Sequence, residues 1–351
     1  MLANIIAFVP RMLLDERYGG AVMSMLLAVP LSTGLCSLLI YAMGSFPQCT
    51  VVDIFKKTLS VWIWAPVLIF FIGMWYLAGM TTLFSFADIT KRFINPSLPP
   101  HHAMGLYAGL LVFMIQLGSR RALYTLELLL VLQVPLILFI MMKATFNENL
   151  LLDAIVEAGT YLFHMPSWQS LAAATYVFTG YLNLVIYNGV FHRPVKLRVV
   201  WIVLAVGLLN LTTTYFIPIG MHGMDGVGEL LYMWFTTADS IRLEYGFVER
   251  LIFIFLLLYL NISLLSAFVH WHVALQLIKG FMPAKEKLQS TLSWIVGALF
   301  AVGGIATAYW MTEHEMFGFT SGWVSLRLAS EIVLVAGIAA LAWRERRKKP
   351  A

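Results

Sequence analysis

The sequence predicts an all-α integral membrane protein built almost entirely from membrane-spanning helices. Three observations lead to this. Hydrophobic residues make up 60% of the 351 and charged residues only 12%, where a soluble domain of this size carries roughly 25% charged. Apolar runs recur from end to end, each close to the length of about 20 residues that a helix needs to cross a bilayer. The basic residues between those runs fall mainly on alternate loops, as membrane topology demands.

In chain order, the first apolar segment ends at Arg11. Its ten or so residues rise only about 15 Å as a helix, so it makes a half-span. Full spans follow near 21–44, 61–87, 103–118, 122–142, 171–190, 197–219, 251–278, 292–310 and 324–343. Placing the C-terminal cluster Arg344, Arg346, Arg347, Lys348 and Lys349 in the cytoplasm and alternating backwards sends fifteen Lys and Arg residues inside and six outside. The inner set includes Lys56, Lys57, Arg120, Arg121, Arg193, Lys196 and Arg198, and only Lys91–Arg92 runs against the rule. Ten helices with both termini cytoplasmic is the economical arrangement.

Composition also excludes function classes. The net charge of +5 is not concentrated on any soluble basic module with interleaved aromatics, so nucleic acid is not an expected partner. Cys36 and Cys49 show no metal-ligand spacing and no disulfide framework. No nucleophile elbow, phosphate loop or metal triad is present in the sequence, so neither catalysis nor a cofactor is expected.

One span departs from the uniform apolar pattern. The run at 171–190 holds Thr179-Gly180 at its middle, with Asn183, Tyr187 and Asn188 beyond. Glycine in a helix interior costs about 1 kcal/mol relative to alanine. Inside lipid, backbone freed by a break must be satisfied by protein or by a water-filled cavity. The step therefore reads either as a discontinuous helix beside an internal cavity or as an unbroken helix whose glycine admits a close neighbour.

Several stretches together resemble the B subunit of bacterial spore nutrient-germinant receptors (the GerAB type), a branch of the amino acid–polyamine–organocation transporter superfamily. Phe8-Val-Pro-Arg11 resembles the family's proline–arginine exit from its first helix. Phe46-Pro47-Gln48-Cys49-Thr50 resembles its Phe-Pro-Gly-Lys-Thr turn, with Gln48 and Cys49 departing from it. Thr179-Gly180 followed by His192-Arg193-Pro194 fits its sixth helix, and Phe247-Val-Glu249-Arg250 resembles the opening of its eighth. The likeness runs to about Met282 and more loosely through the last two helices.

The resemblance implies a LeuT-like fold of two inverted five-helix repeats: 1–145 for helices 1–5, 167–343 for helices 6–10, then a basic cytoplasmic tail at 344–351. The family's first helix begins before the position of Met1, so a truncated first helix is expected. The resemblance also implies a ligand-sensing role for an amino acid or similar small nutrient in spore germination, residence in the spore inner membrane, and two partners, a germinant receptor A subunit with soluble domains and a lipoprotein C subunit. An amino acid permease of the same superfamily is the alternative. Carried over by position, the ligand site falls on Ala3 and Asn4; Tyr76, Met80 and Thr81; Phe178, Thr179 and Gly180; and Tyr259, Asn261 and Ser263. A ligand carboxylate would meet free backbone N–H groups at a half-helix start, and its ammonium would meet carbonyls and hydroxyls. Arg327 and Glu331, four apart in the last span, can pair on one helix face, and that pair reads as structural.

Overall fold

The structure is a computed structural model and describes residues 8–242, 249–283 and 285–348. Among them the elements are helical apart from an isolated antiparallel bridge between Arg242 and Arg250.

The chain enters through α1 (Phe8–Leu14), whose Val9, Met12, Leu13 and Leu14 are buried. The proline–arginine exit is held in place: Arg11 Nη1 donates to the carbonyls of Gly228 (2.5 Å) and Leu230 (3.0 Å), and Arg17 Nε donates to Met224 O (2.6 Å). The first long helix is α2 (Ala21–Met43). The turn after it leads into α3 (Val51–Thr58), opened by a reciprocal cap in which the Thr50 hydroxyl accepts from Asp53 N (3.3 Å) and the Asp53 carboxylate accepts from Thr50 N (2.9 Å). This short helix buries Val51, Val52, Ile54 and Phe55 and turns Lys56 and Lys57 outward.

Next come α4 (Val61–Ile89), which continues through a π-helical turn at Thr90–Ile94, then α5 (Pro100–Met114) and α6 (Ser119–Thr145). Only Ala122, Gln133, Ile140 and Ala144 of α6 are buried, as expected of a helix that faces lipid over most of its surface. The short α7 (Leu152–Thr160) packs on the later helix Val199–Gly226. After α8 (Trp168–Tyr176) the helix breaks, and the chain resumes as a 3₁₀ turn at Thr179–Asn183, α9 (Leu184–Tyr187) and a second 3₁₀ turn at Asn188–Val190. The remaining helices are α10 (Val199–Gly226, kinked at Gly223), α11 (Met233–Ser240), α12 (Leu251–Lys279), α13 (Glu286–Trp310) and α14 (Glu313–Lys348).

The long helices α4 and α12 form the centre. They approach closely at Gly79, where an added Cβ would lie 2.4 Å from the Trp271 ring. Trp271 is fully buried and donates from Nε1 to Tyr76 O (3.2 Å). Around this pair, α13 packs on α5, and α14 packs on α2 and α8.

Among the described residues, seven helices are long and apolar enough to cross a membrane, and eight if the broken pair counts as one span. The protein is thus an integral, multi-pass membrane protein. The nine full spans expected from hydropathy include the run at 103–118. There α5 has 15 residues, about 22 Å of rise, which is shorter than the hydrocarbon core of about 30 Å. The last helix starts at Glu313, well before 324. A second reciprocal cap explains this: the Thr312 hydroxyl accepts from Glu315 N (3.3 Å), while the Glu315 carboxylate accepts from Thr312 N (2.8 Å).

Candidate functional site: a broken helix beside a buried ion pair

The two pieces of the broken span, Trp168–Tyr176 and Thr179–Val190, meet at 65°. The joint is seated by packing. Phe178 is fully buried, and its ring occupies the space beside Gly207 of α10, where an added Cβ would come within 2.1 Å of Cε1. No other residue type at 207 would leave that space. The freed polar groups are satisfied locally: Phe178 N donates to Thr175 O (3.0 Å), Thr179 Oγ1 donates to Tyr176 O (2.9 Å), and Asn183 Nδ2 donates to Gly180 O (3.2 Å).

The rest is satisfied from α14. Arg327 and Glu331 are 5% and 2% exposed and form an ion pair. Arg327 Nη2 donates to Ala172 O (2.5 Å) and to Thr175 Oγ1 (2.9 Å) in the last turn of α8, where a cation also complements the helix dipole. Its guanidinium carbon lies 5.1 Å from the centre of the Tyr176 ring, a favourable distance for a cation over an aromatic face. The other end of the pair holds the other half-helix, because the Tyr181 hydroxyl donates to Glu331 Oε1. One i, i+4 pair on α14 therefore pins both sides of the break.

A narrow cleft opens at this point, with about 420 Å³ of space between its walls only when the part open to its surroundings is included. Phe71, Met74, Trp75 and Ala78 of α4 form one wall. Tyr176, Thr179, Leu182 and Asn183 of the broken span form a second, and Trp323, Arg327, Ser330 and Glu331 of α14 a third, with His270 of α12 alongside. Trp75 Nε1 donates to Asn183 Oδ1 (2.9 Å), and His270 Nδ1 lies 2.6 Å from Ser266 O. The cavity is thus mostly apolar and aromatic with a few convergent polar groups, the usual makeup of a small-molecule site.

The structure superposes on that of MhsT in complex with L-phenylalanine with a TM-score of 0.60, covering 98% of this chain and 90% of that one at 16% sequence identity. The fold is LeuT-like. No protein-family model matches the sequence, and no curated protein matches it either.

Within this LeuT-like body the residues singled out from the sequence separate into three places. Thr179 lines the cleft, Phe178 packs behind it and Gly180 is exposed. The α4 and α12 candidates lie on the seam between those two helices and their neighbours. Tyr76 stacks with Trp271 (6.0 Å between ring centres) and packs on Phe300, and Met80 Sδ accepts from Thr307 Oγ1 (3.4 Å). Thr81 donates to Ala78 O and Asn261 to Leu257 O within their own helices. Tyr259 sits among Phe86 and Phe235, and its buried hydroxyl lies near that of Ser263 without hydrogen-bond geometry to any described residue. Ala3 and Asn4 lie outside the described residues. Sequence reasoning did not single out Phe71, Met74, Trp75 or Trp323, which look like ordinary lipid-span residues. The signal it could have used was the pair Arg327–Glu331, two opposite charges four apart in an otherwise apolar span.

A second polar cluster ties α14 to α4 at the end of the latter. Arg92 Nε lies 2.9 Å from Asp88 Oδ2, and Arg92 also pairs with Glu313 at the start of α14. The Tyr232 hydroxyl donates to the same Asp88 oxygen (2.9 Å).

Proposed function

We propose that this chain binds an amino acid at the broken helix and is the ligand-sensing transmembrane subunit of a spore nutrient germinant receptor, triggering germination. The observation that carries the reading is the 65° break beside a mostly apolar cleft, with backbone and side-chain polar groups gathered at one point inside a membrane body. In a LeuT-like body the ten helices are α1, α2, α4, α5, α6, the broken span, α10, α12, α13 and α14. Helices 1–5 form one repeat and 6–10 its inverted counterpart. The distribution of basic loops supports a cytoplasmic location for both termini. The neighbour MhsT, solved with L-phenylalanine, supports an amino acid as the ligand, and the sequence resemblance supports the spore inner membrane as location and A and C subunits as partners. In this role the protein performs no covalent chemistry: binding shifts the equilibrium between arrangements of the half-helices, and the partners read the shift.

The alternative is an amino acid permease using the same site. Its support is the pair of ion-bridged clusters, at the break and at Arg92–Glu313, which suits a body that opens alternately on two sides. Reconstitution distinguishes the two. Binding of an amino acid without ion-driven accumulation in proteoliposomes supports the sensor, and sustained uptake supports the permease. In a spore-former that carries this gene, its deletion is expected to abolish germination towards at least one nutrient, and germination unchanged for all nutrients contradicts the receptor assignment.

A further inference from the structure

The wall that α14 presents to the cleft has a definite chemistry. Arg327 and Glu331 together carry no net charge, and both have hydrogen-bonding capacity left over. Among the described residues, Nε of Arg327 and Nε1 of Trp323, one helical turn earlier, are buried with no hydrogen-bond partner. Each residue is 5% exposed, and both line the cleft. Buried N–H donors are rarely left unpaired without reason. Glu331 accepts one bond from Arg327 and one from Tyr181, whereas a carboxylate offers about four lone-pair sites. The opposite wall is Phe71, Met74 and Trp75.

We infer that α14 is the headgroup seat for a zwitterionic, apolar amino acid, with the ligand carboxylate on the N–H groups of Arg327 Nε and Trp323 Nε1, its ammonium on Glu331, and its side chain against Phe71, Met74 and Trp75. The inference rests on the amino-acid reading of the cleft and adds the groups that choose the ligand. A zwitterion brings opposite charges to an ion pair and adds no net charge to a low-dielectric site. A cationic or anionic analogue buries an uncompensated charge, which is far more costly. Side chains with their own charge are excluded by the aromatic wall for the same reason.

The test uses the full chain in lipid nanodiscs and a binding panel of the twenty L-amino acids. The tightest binder is then compared with its amide, which lacks the carboxylate, and its N-acetyl form, which lacks the ammonium. The expected result is an apolar amino acid that binds at least about tenfold more tightly than either blocked form, since a hydrogen bond to a charged group is worth at least that much. The Trp323 ring meets that of Tyr176 edge-on at 5.4 Å between centres, and Trp323→Phe keeps a ring there while removing the indole N–H. It is expected to weaken the free amino acid about tenfold and the amide, whose neutral carbonyl is the weaker acceptor, markedly less, so that their ratio contracts at an unaltered melting temperature. A loss of structure alone would weaken both equally. Equal binding of the blocked forms to the wild type overturns the inference, as does a Trp323→Phe chain with full discrimination, while amino acid binding itself survives either result. A wild-type chain that binds none of the twenty overturns both the inference and the reading beneath it.

Discussion

Replacing Arg327 by methionine leaves the Glu331 carboxylate 2% exposed with only the Tyr181 hydroxyl as a partner. It also removes the donors to Ala172 O and Thr175 Oγ1 at the end of α8. Breaking one side of a buried ion pair costs about 3–5 kcal/mol, mainly because the remaining charge has no compensation. Removing both charges in Arg327→Met/Glu331→Met takes that penalty away. The orphaned Tyr181 hydroxyl still costs about 1–3 kcal/mol, and adding Tyr181→Phe relieves it. The expected order of stability is therefore the Arg327→Met single variant lowest, the double intermediate, and the triple within about 2 kcal/mol of wild type. Reversible unfolding of the purified protein in mixed micelles, followed by tryptophan fluorescence, measures the series. A double variant no more stable than the single would show that the two charges do not compensate each other, and the clamp across the break would fail as an explanation.

Three further outcomes follow from the same contacts. Gly207→Val places a side chain where the Phe178 ring lies; overpacking of this kind costs about 1–3 kcal/mol and is expected to weaken ligand binding as well as stability, whereas the same change at the unobstructed Gly109 serves as the control and leaves binding intact. Thr179→Leu fills the cleft beside Tyr176 and deletes the hydrogen bond from Thr179 Oγ1 to Tyr176 O, so it is expected to abolish amino acid binding at a stability cost of about 1 kcal/mol with the chain still folded; normal binding would move the site elsewhere. Thr312→Ala deletes the cap of α14 and is expected to cost about 1 kcal/mol in the same unfolding assay without changing ligand selectivity.

The membrane body is legible in the sequence because it arises from local rules, whereas the Thr179-Gly180 step leaves a broken and an unbroken helix both open. Apolar runs of bilayer length have one stable outcome in lipid, and a Thr-Gly step followed by Asn183 and Asn188 marks where a span can break without requiring that it does. The joint falls at Val177–Phe178, immediately ahead of Thr179-Gly180. What makes it a joint is the empty face of Gly207 some thirty residues on, which no local pattern marks. The start of α14 and the whole of α3 went unread because each depends on a threonine cap and its acidic partner, Thr312–Glu315 and Thr50–Asp53, lying outside the apolar windows. The carried-over positions Tyr76, Met80, Tyr259 and Ser263 belong to the α4–α12 region, whereas the cleft draws on α14, a helix the carry-over did not include. Phe71, Trp75 and Trp323 have the composition of any span, and only the tertiary arrangement brings them to one cavity.

A single-particle electron microscopy map of the full chain in nanodiscs, resolved well enough to trace residues 168–190, tests the central claim most directly. The account predicts two half-helices meeting near 65°, with density joining Arg327 to the end of α8 and Glu331 to Tyr181. A straight, continuous helix through Phe178 with α14 packed flush against it would contradict the account, because it would leave no cleft in which a ligand could sit.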